Sequence, residues 1–178
     1  MEHAAIPFQL LDYHRQTGQS NEPHRGGVLT YRIAIAGLGQ AERRIRLPAY
    51  WGLTSLEIVG GCDPGAKAEE FSFPLFSSVS EMLANTKPHI LAVVTPPDSH
   101  FALTSLGLQS GCHVFCEKPF MNSLKEADAI ISLAREASRH VVVNNQFRFM
   151  RIHTAAKQMV GKADLGDLLF LAMHQTFS

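Results

Sequence analysis

The chain has no excess of charge. Its 16 lysines and arginines face 16 acids, for a formal net charge of zero over 178 residues. Without a field of one sign there is no long-range pull toward nucleic acid or an anionic membrane, and neither is expected as a partner. No apolar run approaches the ~20 residues that span a bilayer, and no basic start precedes an apolar leader core. These absences predict a soluble, cytoplasmic protein. Cysteine is scarce as well. Cys62, Cys112 and Cys116 are odd in number and lie in or beside apolar runs. On an extended strand, Cys112 and Cys116 stand roughly 13 Å apart. A disulfide cannot span that without a bend, so reduced core thiols are expected. Spacings such as C-x-x-C or H-E-x-x-H are missing, so no metal site is expected. Internal repeats and low-complexity blocks are missing too.

The chain is organised around Tyr31 to Arg44, YRIAIAGLGQAERR. An apolar run enters Gly37-Leu38-Gly39 and continues into a helical pattern, which reads as a buried strand, a tight turn and a helix start. The backbone N–H groups and dipole of such a junction suit a dinucleotide pyrophosphate. Gly37 permits the turn, and Gly39 lets phosphates approach the backbone. The third small residue of G-x-G-x-x-G is replaced by Glu42, a bulky carboxylate with the wrong sign for a phosphate. Arg43 or Arg44 is the expected neutralising neighbour.

Ahead of this junction, residues 1–30 read as an N-terminal arm. Ile6 to Leu11 is a short apolar patch, Gln16 to Gly27 is polar and aperiodic, and His3, His14 and His24 are expected in solvent. Beyond the junction, strands and helices alternate. Leu56 to Cys62, Pro74 to Phe76, His89 to Thr95, His113 to Cys116 and His140 to Val143 read as further strands. Gln40 to Trp51 is helical with Pro48 expected to kink or shorten it, and Ala66 to Phe71 is a short helix. Ser78 with Glu81 and Ser123 with Glu126 form capping boxes for two more helices, and Ser99 to Ser110 forms another. The apolar stripe of the helix after Ser123 is Leu124, Ala127, Ile130, Ile131 and Ala134. This alternation predicts an α/β fold, a doubly wound parallel Rossmann sheet of order 3-2-1-4-5-6. Ligands of such sheets bind beyond the carboxyl ends of the strands, where Gly37, Asp63, Pro96, Lys118 and Asn145 all fall.

Asp63 follows the second strand at the spacing of an acid that accepts hydrogen bonds from the adenosine ribose. The alternative is that Asp63-Pro64-Gly65 only makes a turn. A carboxylate would repel a 2′-phosphate, so NAD is favoured over NADP. Glu117-Lys118-Pro119 leaves the fifth strand. A buried ammonium there can hydrogen-bond a substrate hydroxyl and stabilise the alkoxide that develops as hydride leaves carbon, with Glu117 holding it in place; the alternative is an exposed loop with a solvated ion pair.

Together the AGLGQ turn, GCDPG, TPPDSH, GCHVFCEKPF and NNQFRFM resemble the glucose–fructose oxidoreductase, inositol dehydrogenase and rhizopine-catabolism (Gfo/Idh/MocA) family, from about Tyr31 to the C-terminus. The resemblance implies an NAD(P)-dependent oxidoreductase that moves hydride between nicotinamide and a sugar, polyol or related hydroxyl substrate. Gly37, Leu38, Gly39 and Gln40 would hold the pyrophosphate, Asp63 the ribose, and Thr95, Pro96 and His100 would line the nucleotide. Glu117 and Lys118 would face nicotinamide and substrate, Lys118 across a cis bond to Pro119, and Asn145 and Arg148 match the exit from the nucleotide domain. The dinucleotide-binding domain is then 31–150. Residues 151–178 would begin a second α/β domain, with a connecting helix Ile152 to Val160, a turn Asp164 to Asp167 and a first strand Leu168 to Thr176. The family's acid–base histidine and aspartate lie on a later helix that this chain lacks, and His174 sits mid-strand. A truncated chain that binds a dinucleotide without completing a cycle is expected. The unpaired last strand is open to pairing with another chain, including a second copy. The alternative is a non-catalytic nucleotide-sensing regulatory or interaction module of the same fold.

Overall fold

The computed structural model describes residues 24–25, 28–40, 42–160, 166–167, 169–170 and 172. They fall into two compact units, one running to Asn144 and the other beginning at Asn145.

The first unit is built on five parallel strands: β1 (Tyr31–Ala36), β2 (Leu56–Cys62), β3 (Ile90–Val93), β4 (His113–Cys116) and β5 (Val141–Val143), in the order β2-β1-β3-β4-β5. Pro74 to Phe76, expected as a strand outside β2, is one isolated parallel bridge between Gly61 and Leu75. Pro74 has no N–H to lengthen that ladder. With this strand counted as a bridge, the order is the doubly wound one.

Alternation along β1 assigns its two faces. Ile33 and Ile35 pack with Leu47, Phe73, Ile90 and Ala92 on one side. Ala34 and Ala36 pack with Met82, Leu91, Val93, Val114 and Ile130 on the other. The first side is covered by α1 (Leu47–Trp51) and the segment around the 3₁₀ turn Ala68–Glu70, a shorter element than the expected Ala66 to Phe71 helix. The second is covered by α2 (Val79–Thr86), α3 (His100–Gln109) and α4 (Leu124–Glu136).

The expected single helix Gln40 to Trp51 is instead a wide π-type turn, Glu42–Arg46, feeding α1. Pro48 cannot donate to a preceding carbonyl, so it sits in the first turn of α1, where no donor is needed. Ser78 and Ser123 cap α2 and α4 by accepting from the backbone N–H groups of Glu81 (3.1 Å) and Glu126 (3.2 Å). Ser123→Ala is expected to cost about 1 kcal/mol, read as a lower melting temperature with ligand affinities unchanged.

One expectation for α4 is corrected. Ile130 and Ala134 are buried, whereas Leu124 is 85% exposed and Ile131 is 42% exposed. At about 100° per residue, Ile131 is turned away from Ile130, and Leu124 shares its line seven residues earlier.

All three cysteines are free thiols, and burial pushes Cys112 and Cys116 up to about 11. His24–Arg25 pairs antiparallel with Val28–Leu29, within a stretch expected to have no regular structure. The second unit contains a 3₁₀ turn, Gln146–Phe149, and the expected connecting helix, α5 (Arg151–Val160). His3, His14, His174 and most of residues 1–30 lie outside the described residues. So does the expected strand Leu168 to Thr176, apart from Leu169, Phe170 and Ala172, which have no regular structure. Of the turn Asp164 to Asp167, only Gly166 and Asp167 are described. Among the described residues no helix is long and apolar enough to cross a membrane, and no group of three metal-ligating side chains is present.

Candidate functional site

The carboxyl edge of the sheet brings together most of the residues expected at the site. β1 ends at Gly37, whose φ of +95° belongs to the region that glycine enters freely. A Cβ there would stand 2.5 Å from the Val94 carbonyl oxygen. The Gly37 N–H donates to the Cys62 carbonyl (2.9 Å), which ties the turn to the end of β2. The Leu38 side chain drops into the core, and its N–H donates to Asp63 Oδ2 at 2.7 Å. Asp63 Oδ1 accepts from Gly65 N–H, also at 2.7 Å, so the acid makes its local turn and holds the glycine turn as well. Each carboxylate oxygen retains a second lone pair.

Gly39 and Gln40 are exposed at the helix start, where backbone N–H groups have no intrahelical acceptor. A Cβ on Gly39 would meet nothing within 4 Å. The turn therefore offers free donors and open space where a pyrophosphate needs both, and Asp63 supplies the acceptor a ribose needs. These residues fit a dinucleotide.

Two further loops complete the edge. After β3, Ser99 Oγ bonds Thr95 Oγ1 at 2.6 Å, and Pro96 is exposed. His100 is fully buried, with Nδ1 2.8 Å from the Pro119 carbonyl and Nε2 2.9 Å from the Thr95 carbonyl. It joins the two loops from beneath instead of presenting a face to a ligand, which departs from a direct lining role. A neutral imidazole donates to one of these carbonyls, and an imidazolium to both.

After β4, the Lys118–Pro119 bond is cis. Lys118 is exposed and not buried as expected, and its ammonium makes no ion pair among the described residues. The Glu117 carboxylate is engaged elsewhere. Oε1 accepts from the Arg46 guanidinium and from Asn144 Nδ2, and Oε2 accepts from the Lys118 backbone N–H at 3.2 Å. Glu117 thus holds the lysine's backbone and not its charge.

Glu42 does not face the phosphate side as expected. It is fully buried, and its Oε2 pairs with Arg46 at 3.2 Å. Neither expected arginine serves it: Arg43 donates to the Leu38 carbonyl (2.7 Å) and pairs with Glu70 (3.0 Å), and Arg44 is exposed. Burial pushes the Glu42 carboxyl up to about 7, against the pull of Arg46 and with a smaller upward push from Glu117. Tyr50 is raised as well, first by burial and then by Glu42. Among the described residues Glu42 Oε1, Arg46 Nε and Tyr50 OH are buried without a partner.

Arg46, Tyr50 and Asn144 were not singled out from the sequence. The i, i+4, i+8 spacing of Glu42, Arg46 and Tyr50 marks one line along a helix, and it was the available signal. Asn145 opens the second unit, whereas the amide that reaches Glu117 belongs to Asn144, one residue earlier.

Residues 31–145 match the family described as "Oxidoreductase family, NAD-binding Rossmann fold" (GFO_IDH_MocA). The chain belongs to this family. Among its Gfo/Idh/MocA relatives, D-glucoside 3-dehydrogenase of Escherichia coli K12 is 28% identical over 143 residues, covering 77% of this chain and 41% of that protein. UDP-N-acetylglucosamine 3-dehydrogenase of Acidithiobacillus ferrooxidans is 40% identical over 121 residues, covering 65% and 36%. A dehydrogenase structure from Chromobacterium violaceum superposes with a TM-score of 0.72 at 24% identity, over 78% of this chain and 42% of that one. This last likeness concerns the fold. The chain spans about two-fifths of the length of these relatives. A nicotinamide dinucleotide is the cofactor class that the family description names, and the named relatives are dehydrogenases.

Proposed function

We propose that this chain binds NAD(H) at its glycine turn and supplies the nucleotide half of an oxidoreductase acting on a hydroxyl of a sugar, polyol or related substrate. The observation that carries the reading is the 2.7 Å bond from the Leu38 N–H to Asp63. It holds the acid proposed for the ribose against the turn proposed for the pyrophosphate, at the ends of adjacent parallel strands. The substrate class follows the sugars named for the dehydrogenase relatives.

Gly39 and Gln40 offer N–H groups to the pyrophosphate, and the helix-start dipole favours its charge. Asp63 accepts from the ribose hydroxyls and disfavours a 2′-phosphate. His100 holds the Thr95 and Pro119 loops together, so that Thr95 and Pro96 flank the nucleotide. The nicotinamide, when bound, supplies hydride-transfer chemistry. Lys118 then donates a hydrogen bond to the substrate oxygen and offsets the negative charge that grows on it. Glu117 fixes the backbone from which that lysine projects.

The direct test is titration of the chain with NADH, followed by nucleotide fluorescence. Saturable binding with a blue-shifted emission is expected, and no binding at millimolar NADH removes the reading. A second measurement addresses Asp63. Asp63→Ala is expected to weaken NADH about tenfold while leaving NADPH within twofold, because removing one carboxylate removes both an acceptor and a repulsion. An unchanged preference between the two cofactors would return Asp63 to a turn-forming role.

A further inference from the structure

The chain of charges Glu42–Arg46–Glu117 is not used by the proposed cofactor contacts, yet it joins the segment after the glycine turn to the Lys118 loop. Arg46 and Glu117 are 71 residues apart in sequence and meet through Arg46 Nη2 and Glu117 Oε1. The guanidinium's other terminal nitrogen pairs with Glu42. The arrangement is nearly sealed, with side-chain exposures of 0% for Glu42, 14% for Arg46 and 10% for Glu117.

Two acids on one buried guanidinium are a poor means of holding a fold together. Desolvation of the charges offsets their attraction, and apolar side chains of similar volume often serve as well or better. The unpartnered Glu42 Oε1, Arg46 Nε and Tyr50 OH add to the cost. What the arrangement does provide is geometry. A planar guanidinium can span two carboxylates in a fixed plane, which an ammonium cannot. With Arg46 and Asn144 on Oε1, the Glu117 carboxylate is oriented so that Oε2 receives the Lys118 N–H. The loop carrying the exposed lysine is thereby registered against the helix that begins at the glycine turn.

We infer that Arg46, anchored by Glu42, is a positioning residue that sets Glu117 and the Lys118 backbone for the nicotinamide half of the cofactor. The inference rests on the proposed NAD(H) site and assigns within it a residue that touches no ligand.

The test separates the two halves of the cofactor. ADP-ribose carries the adenosine, the pyrophosphate and the second ribose but no nicotinamide, so it reports the glycine turn and Asp63 alone. NADH reports the Lys118 loop as well. Dissociation constants for both ligands are measured on the full chain by calorimetry, with the NADH emission maximum recorded alongside. Arg46→Met is expected to weaken NADH tenfold or more and to abolish the blue shift, while ADP-ribose stays within twofold. Arg46→Lys, which keeps one charge but spans only one carboxylate, is expected to fall between, with about a threefold loss for NADH alone. Equal losses for both ligands would reduce Arg46 to a structural role and overturn the inference, as would NADH affinity unchanged in either variant. If Arg46→Met does not fold, Arg46→Lys decides by the same contrast. A wild-type chain that binds neither ligand overturns the proposed function and this inference with it. Wild-type binding followed by equal losses overturns the inference alone.

Discussion

Gly37→Ala is expected to destabilise the first unit by about 3–5 kcal/mol, a large share of the 5–15 kcal/mol that holds a typical domain, and to abolish NADH binding. Two costs combine. A φ of +95° is strained for any L-residue, at roughly 1–3 kcal/mol. The added methyl would also stand 2.5 Å from the Val94 carbonyl oxygen and 2.7 Å from its carbon. That carbonyl has little freedom to retreat, because the Val94 N–H is committed to the Ala36 carbonyl at 2.8 Å. Nor can Gly37 withdraw without breaking its own bond to Cys62. Urea denaturation of the variant should show a midpoint far below that of the parent, with the slope unchanged. A variant with an unchanged midpoint would contradict the described turn. Gly39→Ala is the matched control. Its methyl enters open space, so stability should move by less than ~1 kcal/mol, while NADH binding weakens because the methyl occupies the approach to the backbone. Together the two variants separate the glycine that the fold requires from the glycine that the ligand requires.

Glu42→Gln is expected to raise stability at pH 8 by up to about 3 kcal/mol and to leave it nearly unchanged at pH 4.5. The sign follows from proton counting. The carboxyl is pushed up to about 7 in the folded chain from an ordinary value of 4.5. Between those values the folded state holds a proton that the unfolded state has released. Stability of the parent therefore falls as pH rises through this window, and the loss is complete once the folded group has ionised. Glutamine keeps the shape and an oxygen for Arg46 but never ionises, so its advantage opens with pH and closes below about 4.5. Physically, the sealed site balances one guanidinium against one carboxylate, Glu117, and a second negative charge there is in excess. Melting temperatures at several pH values check this. If the glutamine variant is the less stable one at pH 8, the attraction of Arg46 outweighs the desolvation of Glu42, and the sign is wrong.

Both predictions concern one turn, and the sequence read its two glycines and its glutamate unequally well. Gly37 and Gly39 could be assigned distinct roles from the pattern, because the constraint is local. A strand running straight into a helix needs a positive φ at the bend and an uncrowded backbone beyond it. The pattern makes Glu42 a phosphate-facing misfit, with Arg43 or Arg44 as its expected neutraliser. That expectation takes the register of G-x-G-x-x-G through an α-helical segment from Gln40, with Pro48 kinking or shortening it further on. The π-type turn Glu42–Arg46 changes the phase, sends Arg43 back to Leu38 and Glu70, and turns Arg46 inward between two acids. Local periodicity does not specify a phase change ahead of a proline, nor a partner such as Glu117 in the loop after another strand.

The same contrast holds at the other loops. Pro96, Asp63 and the Glu117-Lys118-Pro119 triplet were placed at strand ends because apolar runs stop where glycine, proline and charge begin. The ring of His100 bridging two carbonyls, and the pairing of Glu117 with Arg46 and Asn144, join residues from different loops. No spacing rule reaches across them.

The sequence alone determined the strand–helix alternation, the parallel order of the sheet, the serine caps and which residues fall at the carboxyl edge of the sheet. The alternation, the caps and the strand ends are set by interactions within a few residues or by the burial of a periodic face, and the order follows from right-handed crossovers between parallel strands. Only the tertiary structure decided that Asp63 grips the Leu38 N–H, that Lys118 lies exposed, and that Glu42 and Glu117 share Arg46. Hydrogen bonds and ion pairs between distant side chains depend on distances of a few tenths of an ångström and on which groups are sealed from water, and packing of the whole unit sets both.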